Sequence, residues 1–149
     1  FVWSDILQIS QVCPKGFFDA VFLNPPYYRK GRGRLPKDPV LVKYRHETTA
    51  ILEDFLRAAE YALSPKGACY IIHRYHHFPR VEETIVTTTG LGISKKQPFF
   101  SSPRDLNPCW VVAEMKQREE IEKVKELPPV YDLDTFIGYE RCATPVIGI

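Results

Sequence analysis

At 149 residues, 44% hydrophobic and 26% charged, the chain suits one soluble domain with a real core. No apolar run nears the roughly 20 residues a membrane span needs, and no signal peptide is visible; this disfavours membrane and secreted classes and points to a cytoplasmic setting. The formal charge of +2 is unevenly placed: seven basic residues between Arg29 and His46 face the single acid Asp38, leaving 13 basic and 17 acidic residues elsewhere.

In chain order, Phe1-Val2-Trp3 reads as a short strand ending at Ser4-Asp5, and Ile6–Ser10 as a helical turn. Gln11–Gly16 is a turn punctuated by Pro14 and Gly16. Phe18–Leu23 is almost wholly apolar, as expected of a parallel strand covered on both faces. The segment from Tyr28 to about Lys43 is rich in Gly, Pro and basic residues and suggests no regular structure. From His46 to Leu63 the period turns helical: Ile51, Phe55, Ala58, Ala59 and Ala62 recur at three- and four-residue spacing. Ser64-Pro65-Lys66-Gly67 stops that helix, and Ala68–His73 is a second buried strand. Pro79–Thr88 reads as a helix closed by Gly90-Leu91-Gly92, and Ile93–Phe100 and Cys109–Met115 as strands joined by a turn. Lys116–Glu126 is charged and helix-prone, and Leu127–Glu140 an irregular tail or hairpin. Alternation of this kind implies an α/β sheet, largely parallel, with two closing strands able to pair antiparallel.

Cys13, Cys69, Cys109 and Cys142 form no C-x-x-C pair and read as buried reduced thiols rather than disulfides or zinc ligands. His73, His76 and His77 lack a Cys or carboxylate partner at ligand spacing, so no metal is expected.

In an open α/β sheet, ligands bind beyond the carboxyl ends of the strands. Asp5, Asn24-Pro25-Pro26-Tyr27 and His73-Arg74 all fall at such ends. Pro25 and Pro26 have fixed φ and no N–H, so the strand must stop and the loop is stiff. Their carbonyls and the Asn24 side chain become acceptors, and Tyr27 adds a flat π-face. That set suits a planar ligand bearing an exocyclic amine. Asp5 reads equally as a helix N-cap. The basic segment, with Arg29, Lys30, Arg32, Arg34 and Arg45, suits contacts to the phosphates of a polyanion. A solvated loop with no partner is the plain alternative.

The strand Phe18–Leu23 running into Asn24-Pro25-Pro26-Tyr27 resembles motif IV of the amino-group, S-adenosylmethionine-dependent methyltransferases. Tyr44-Arg45-His46-Glu47, Leu52–Ala59, Leu63-Ser64-Pro65-Lys66-Gly67 and Ile72-His73-Arg74 are similar to signatures of the "methyltransferase small" group, in the branch of bacterial tRNA adenine-N6 methyltransferases. The resemblance runs from about Phe1 to Glu114. It implies the C-terminal part of a class I, Rossmann-like sheet with flanking helices and an antiparallel closing hairpin. Residues 1–115 would be that part of the methyltransferase domain and 116–149 an extension. It further implies S-adenosylmethionine as cofactor, met by Asp5 and Asn24, and catalysis by Asn24, Pro25, Pro26 and Tyr27. The substrate would be adenine N6 in tRNA, held by Tyr27, Arg29, Lys30, Arg32, Arg34, Arg45 and His46. His46 reads equally as a cap or surface residue.

Complete family members carry a Gly-rich strand-to-helix turn that cradles the cofactor, then an acid for its ribose. Neither is present, and Gly31-Arg32-Gly33 lies in the basic loop. With Phe1 opening the chain in mid-strand, the sequence reads as part of a longer protein. Alone it is expected to bind S-adenosylmethionine poorly and to form a homo-oligomer through an exposed sheet edge. Two alternatives remain open: an N5-glutamine methyltransferase of peptide release factors, which meets the same electronic problem, and a non-catalytic RNA-binding module derived from a methyltransferase.

Overall fold

A computed structural model describes residues 2–27 and 50–131. The apolar run Phe18–Leu23 forms β1, and Leu63–Arg74 forms β2, paired parallel to it. Between them in sequence lies helix α2, Leu52–Ala62. Its apolar residues Leu52, Leu56, Ala59 and Ala62 share one face, and the Asp54 carboxylate accepts the Ile51 N–H at its start (2.9 Å). The expected start at His46 falls outside the described residues, and Ala50 and Ile51 are not helical.

The helix ends where Leu63 turns extended, and its successor Ser64-Pro65-Lys66-Gly67 interrupts the β1–β2 register rather than forming a separate loop. Leu63 pairs with Phe18, and the ladder resumes only at Ala20 and Ala68. Gly67 is required there: a Cβ would stand 2.9 Å from the Asp19 carbonyl oxygen and 2.8 Å from Leu63 Cδ1. The Asp19 carbonyl belongs to the backbone of β1 and has little freedom to yield. Gly67→Ala is therefore expected to destabilise the fold by about 1–3 kcal/mol. Urea unfolding at pH 7 checks this; an unchanged midpoint would show that the bulge relaxes.

Helix α3, Phe78–Thr88, follows a 3₁₀ turn at Tyr75–His77 and starts with Pro79 in its first turn. It leads to β3, Leu91–Phe100, and then β4, Trp110–Gln117. β4 inserts between β2 and β3 and runs antiparallel to both, so the closing pair is the antiparallel hairpin expected. Two-residue strands β5 (Lys125–Glu126) and β6 (Val130–Tyr131) pair parallel with β3. The order across the sheet is β1-β2-β4-β3-β5.

The core lies between α2, α3 and one face of the sheet. Leu56, Val81 and Ile85 pack with Cys69, Ile71, Val111, Ala113 and Met115. The Leu, Val, Ile and Met side chains among them each contribute roughly 1.5–3 kcal/mol by leaving water. Strand alternation places Cys69, Ile71 and His73 on this face and Tyr70, Ile72 and Arg74 on the other.

That other face corrects the expectation for β1. Val21 and Leu23 pack into the core, whereas Phe22 is 77% exposed and stacks only on Tyr70 across the ladder. β1 is thus covered on one face among the described residues, and its second edge pairs with no described strand. Farther along the same face, the Glu114 carboxylate accepts from Tyr70 Oη (3.1 Å), Ser94 Oγ (2.7 Å) and Lys95 Nζ (3.0 Å). Burial alone would raise its pKa, but these donors prevail and hold it below the usual range.

Further expectations also change. Val2–Asp5 is irregular, with Trp3 fully in solvent; no described strand flanks it to pair with. The helical turn after it is present, as a 3₁₀ turn at Ile6–Gln8 leading into a short helix α1, Ile9–Val12. Lys116–Glu126 forms no α-helix: it holds the end of β4, a 3₁₀ turn at Arg118–Glu120 and β5, because Ile121 and Val124 are too few to make an apolar helical stripe. Cys13 and Cys69 are free and buried, and burial pushes the Cys69 thiol up to about 12. Cys109 departs from the expectation and lies in a disulfide. No described helix is long and apolar enough to cross a membrane.

Candidate functional site

The site begins where β1 ends. Leu23 is buried in the core, Asn24 emerges into solvent, and Pro25 is buried again beneath it. Proline suits this burial because it has no N–H to leave unsatisfied. The loop is thereby pinned on both sides of Asn24. Pro26 and Tyr27 are half-buried.

Tyr27 folds back over the loop, and its hydroxyl donates to Asn24 Oδ1 at 2.6 Å. Its ring lies 5.2 Å from that of His73 at 85°, and 5.2 Å from that of Trp110 at 72°. Both contacts are near-perpendicular, the favoured alternative to parallel stacking. Arg74 lies across the ladder from Trp110, with its guanidinium carbon 4.1 Å from the indole centroid. Asn24, Tyr27, His73, Trp110 and Arg74 thus form one continuous group at the carboxyl ends of β1 and β2.

His73 is 2% exposed, and its Nδ1 lies 3.3 Å from the Arg74 carbonyl oxygen. Burial lowers its pKa to about 4; the hydrogen bond opposes this, and His77, Arg80 and His76 add to it as neighbouring cations. The ring is therefore neutral at pH 7. His76 and His77, whose ring centroids lie 3.9 Å apart, are lowered in the same direction, again by burial first and then by nearby cations. Among the described residues no group of three His, Cys, Asp or Glu side chains is arranged to hold a metal.

Asp5 caps the turn at Ile6–Gln8, its Oδ1 accepting the Leu7 N–H at 3.0 Å. The N-cap reading is thus present in the structure, and the carboxylate stays exposed. Arg29, Lys30, Arg32, Arg34, Arg45 and His46 lie outside the described residues. Sequence reasoning found the Asn24–Tyr27 loop and the strand end at His73-Arg74, but not Trp110. Its place follows from β4 pairing back along β2, which nothing near residue 110 announces.

Chemically, the group offers an oriented amide oxygen on a rigid exposed loop, next to an aromatic wall.

No family model and no curated protein matches the chain. Among solved structures, a predicted O-methyltransferase from Agrobacterium tumefaciens is similar with a TM-score of 0.56 at 15% identity, over 86% of this chain and 51% of that one. The structures of M1.HpyAVI, alone and as a SAM complex, give 0.44 each at 14% identity; they cover 85% and 83% of this chain and 62% of theirs. The first likeness shows the fold: the chain has the mixed α/β sheet and flanking helices of that methyltransferase structure, and it spans about half that structure's length.

Proposed function

We propose that this chain carries the amine-binding side of an S-adenosylmethionine-dependent N-methyltransferase acting on an exocyclic amine, adenine N6 in tRNA being the substrate. The observation that carries the reading is the Asn24 amide oxygen, held by Tyr27 on a loop pinned by buried Pro25 at the end of a parallel strand. The fold shared with a predicted O-methyltransferase supports it. So does the basic segment Arg29–Arg45, which suits a polyanion's phosphates.

An arylamine is a poor nucleophile because its lone pair is delocalised into the ring. When Asn24 Oδ1 accepts one N–H and the Pro25 carbonyl the other, the nitrogen becomes more pyramidal and its lone pair localises. On taking a methyl group as its bond to sulfur breaks, the nitrogen would carry positive charge until it sheds a proton to water, and both hydrogen bonds would strengthen as that charge grows. The loop therefore stabilises the transition state more than the bound amine. Tyr27 lines the space beside the base, which must leave any helical stack to enter. The exposed Asp5 and Asn24 fit the edge of the cofactor, which when bound supplies an electrophilic methyl on a sulfonium.

The test uses protein expressed from the whole coding sequence, radiolabelled S-adenosylmethionine and two acceptors: unmodified tRNA transcripts and a glutamine-containing release-factor peptide. Label recovered as N6-methyladenosine is the expected result. Label on the peptide alone would overturn the RNA assignment, and no label on either would overturn the enzyme reading.

A further inference from the structure

Tyr27 lies across the end of the sheet and is touched from both of its faces. His73 comes from the helix-covered face of β2, and Trp110 from the open face, opposite Arg74. Both neighbours are held in place. Trp110 is buried with Cys109, Ile72 and Phe99 packed about it and the Arg74 guanidinium over its ring. His73 is enclosed, with Val111 beside it in the ladder and its Nδ1 within reach of the Arg74 carbonyl. A ring so fixed has no room to turn, and what leans on it inherits its angle.

We propose that His73 is a positioning residue for the amine site: its imidazole, set edgewise against the Tyr27 ring, fixes the tilt of that ring and, through the Tyr27 hydroxyl, the direction of the Asn24 amide oxygen. The relay has two links, the ring contact at 5.2 Å and the hydrogen bond at 2.6 Å. An amide oxygen has two lone pairs, so the one facing Tyr27 leaves the second for the substrate N–H. Without the His73 ring, Tyr27 keeps its contact with Trp110 but loses its support on the helix-covered side, so its ring tilts and the amide follows its hydroxyl. Reaction rates are sensitive to displacements near 1 Å, so the effect falls on turnover. This role rests on the reading of Asn24–Tyr27 as the amine site. His73 itself touches no reacting atom.

Two substitutions separate the ring from the N–H. His73→Phe keeps a flat ring and drops the N–H; His73→Asn keeps a donor for the Arg74 carbonyl and drops the ring. The first readout needs no substrate: NMR of the Tyr27 ring and the Asn24 side-chain amide in selectively labelled protein, with a backbone spectrum confirming the fold of each variant. In wild type the Tyr27 ring protons are expected to carry ring-current shifts from His73 and Trp110. His73→Asn should move both the Tyr27 and Asn24 signals, and His73→Phe should return them. Unmoved signals in His73→Asn would overturn the proposal, as would Phe failing to restore them in a folded variant. The second readout is methyl transfer to the tRNA transcripts. His73→Asn should lose about 10- to 100-fold in kcat with KM within twofold, and Phe should recover most of it. Wild-type protein inactive on every acceptor would overturn the enzyme reading instead, and the NMR readout would then decide the grip of His73 on Tyr27.

Discussion

Replacing Asn24 with alanine is expected to lower methyl transfer to the amine about 10²–10³-fold in kcat, with KM little changed. The split follows from when the hydrogen bond matters. A neutral arylamine N–H bonds weakly to an amide oxygen and can be replaced by water in the ground state. In the transition state the nitrogen is becoming cationic, and the same bond becomes charge-assisted. Removing the acceptor therefore removes an interaction felt mainly at the barrier. The substitution leaves the loop anchored, because Asn24 is exposed and the burial that pins the turn belongs to Pro25. Asn24→Asp is the informative control: it retains an acceptor and should keep more activity than alanine. Initial rates of labelled methyl incorporation give both numbers. A loss below threefold in the alanine variant would reduce Asn24 to a turn former.

Much of the chain was legible because its local signals agree with one another. The run Phe18–Leu23 reads as a strand and is one, and two prolines directly after Asn24 end it, although only Leu23 of its six residues is buried. The helices at Leu52–Ala62 and Phe78–Thr88 end where their stop signals placed them, although Ala50 and Ile51, within the first expected helix, are not helical. What could not be read depends on partners remote in sequence. A β1 apolar at every position but Asp19 looks the same whether one face or both are covered; only the placement of α2 and α3 on one side reveals Phe22 in solvent. Lys116–Glu126 has high helix propensity, but propensity without an apolar stripe yields to pairing with β3. The site divides in the same way. Asn24–Tyr27 is contiguous and visible as a motif, whereas His73 and Trp110 join it through the β1–β2 and β2–β4 ladders.

The buried His73 also gives the fold an acid limit. Its ring is held neutral down to about 4, against an ordinary value of 6.5, chiefly by burial. The folded-state value is depressed, so the unfolded chain takes up this proton first as pH falls. The contribution of His73 to stability is therefore complete above about 6.5, declines below it, and is gone once the folded state also protonates near 4. A shift of that size corresponds to about 3 kcal/mol, a large part of what a domain this size has to lose. Other groups act in the same direction. Glu114, held ionised by Ser94, Lys95 and Tyr70, also loses its contribution in acid, and His76 and His77 are depressed like His73. Wild-type acid sensitivity alone would thus not identify its source, and His73→Phe isolates it. Phenylalanine does not titrate, so the variant should lose about 3 kcal/mol less than wild type between pH 7 and pH 4. Urea unfolding at both pH values, compared as a difference of differences, cancels any constant packing cost of the larger ring. If the two proteins lose stability in parallel, His73 is not the group whose protonation opens the fold, and the loss between these pH values belongs to His76 and His77, which are lowered from the same ordinary value.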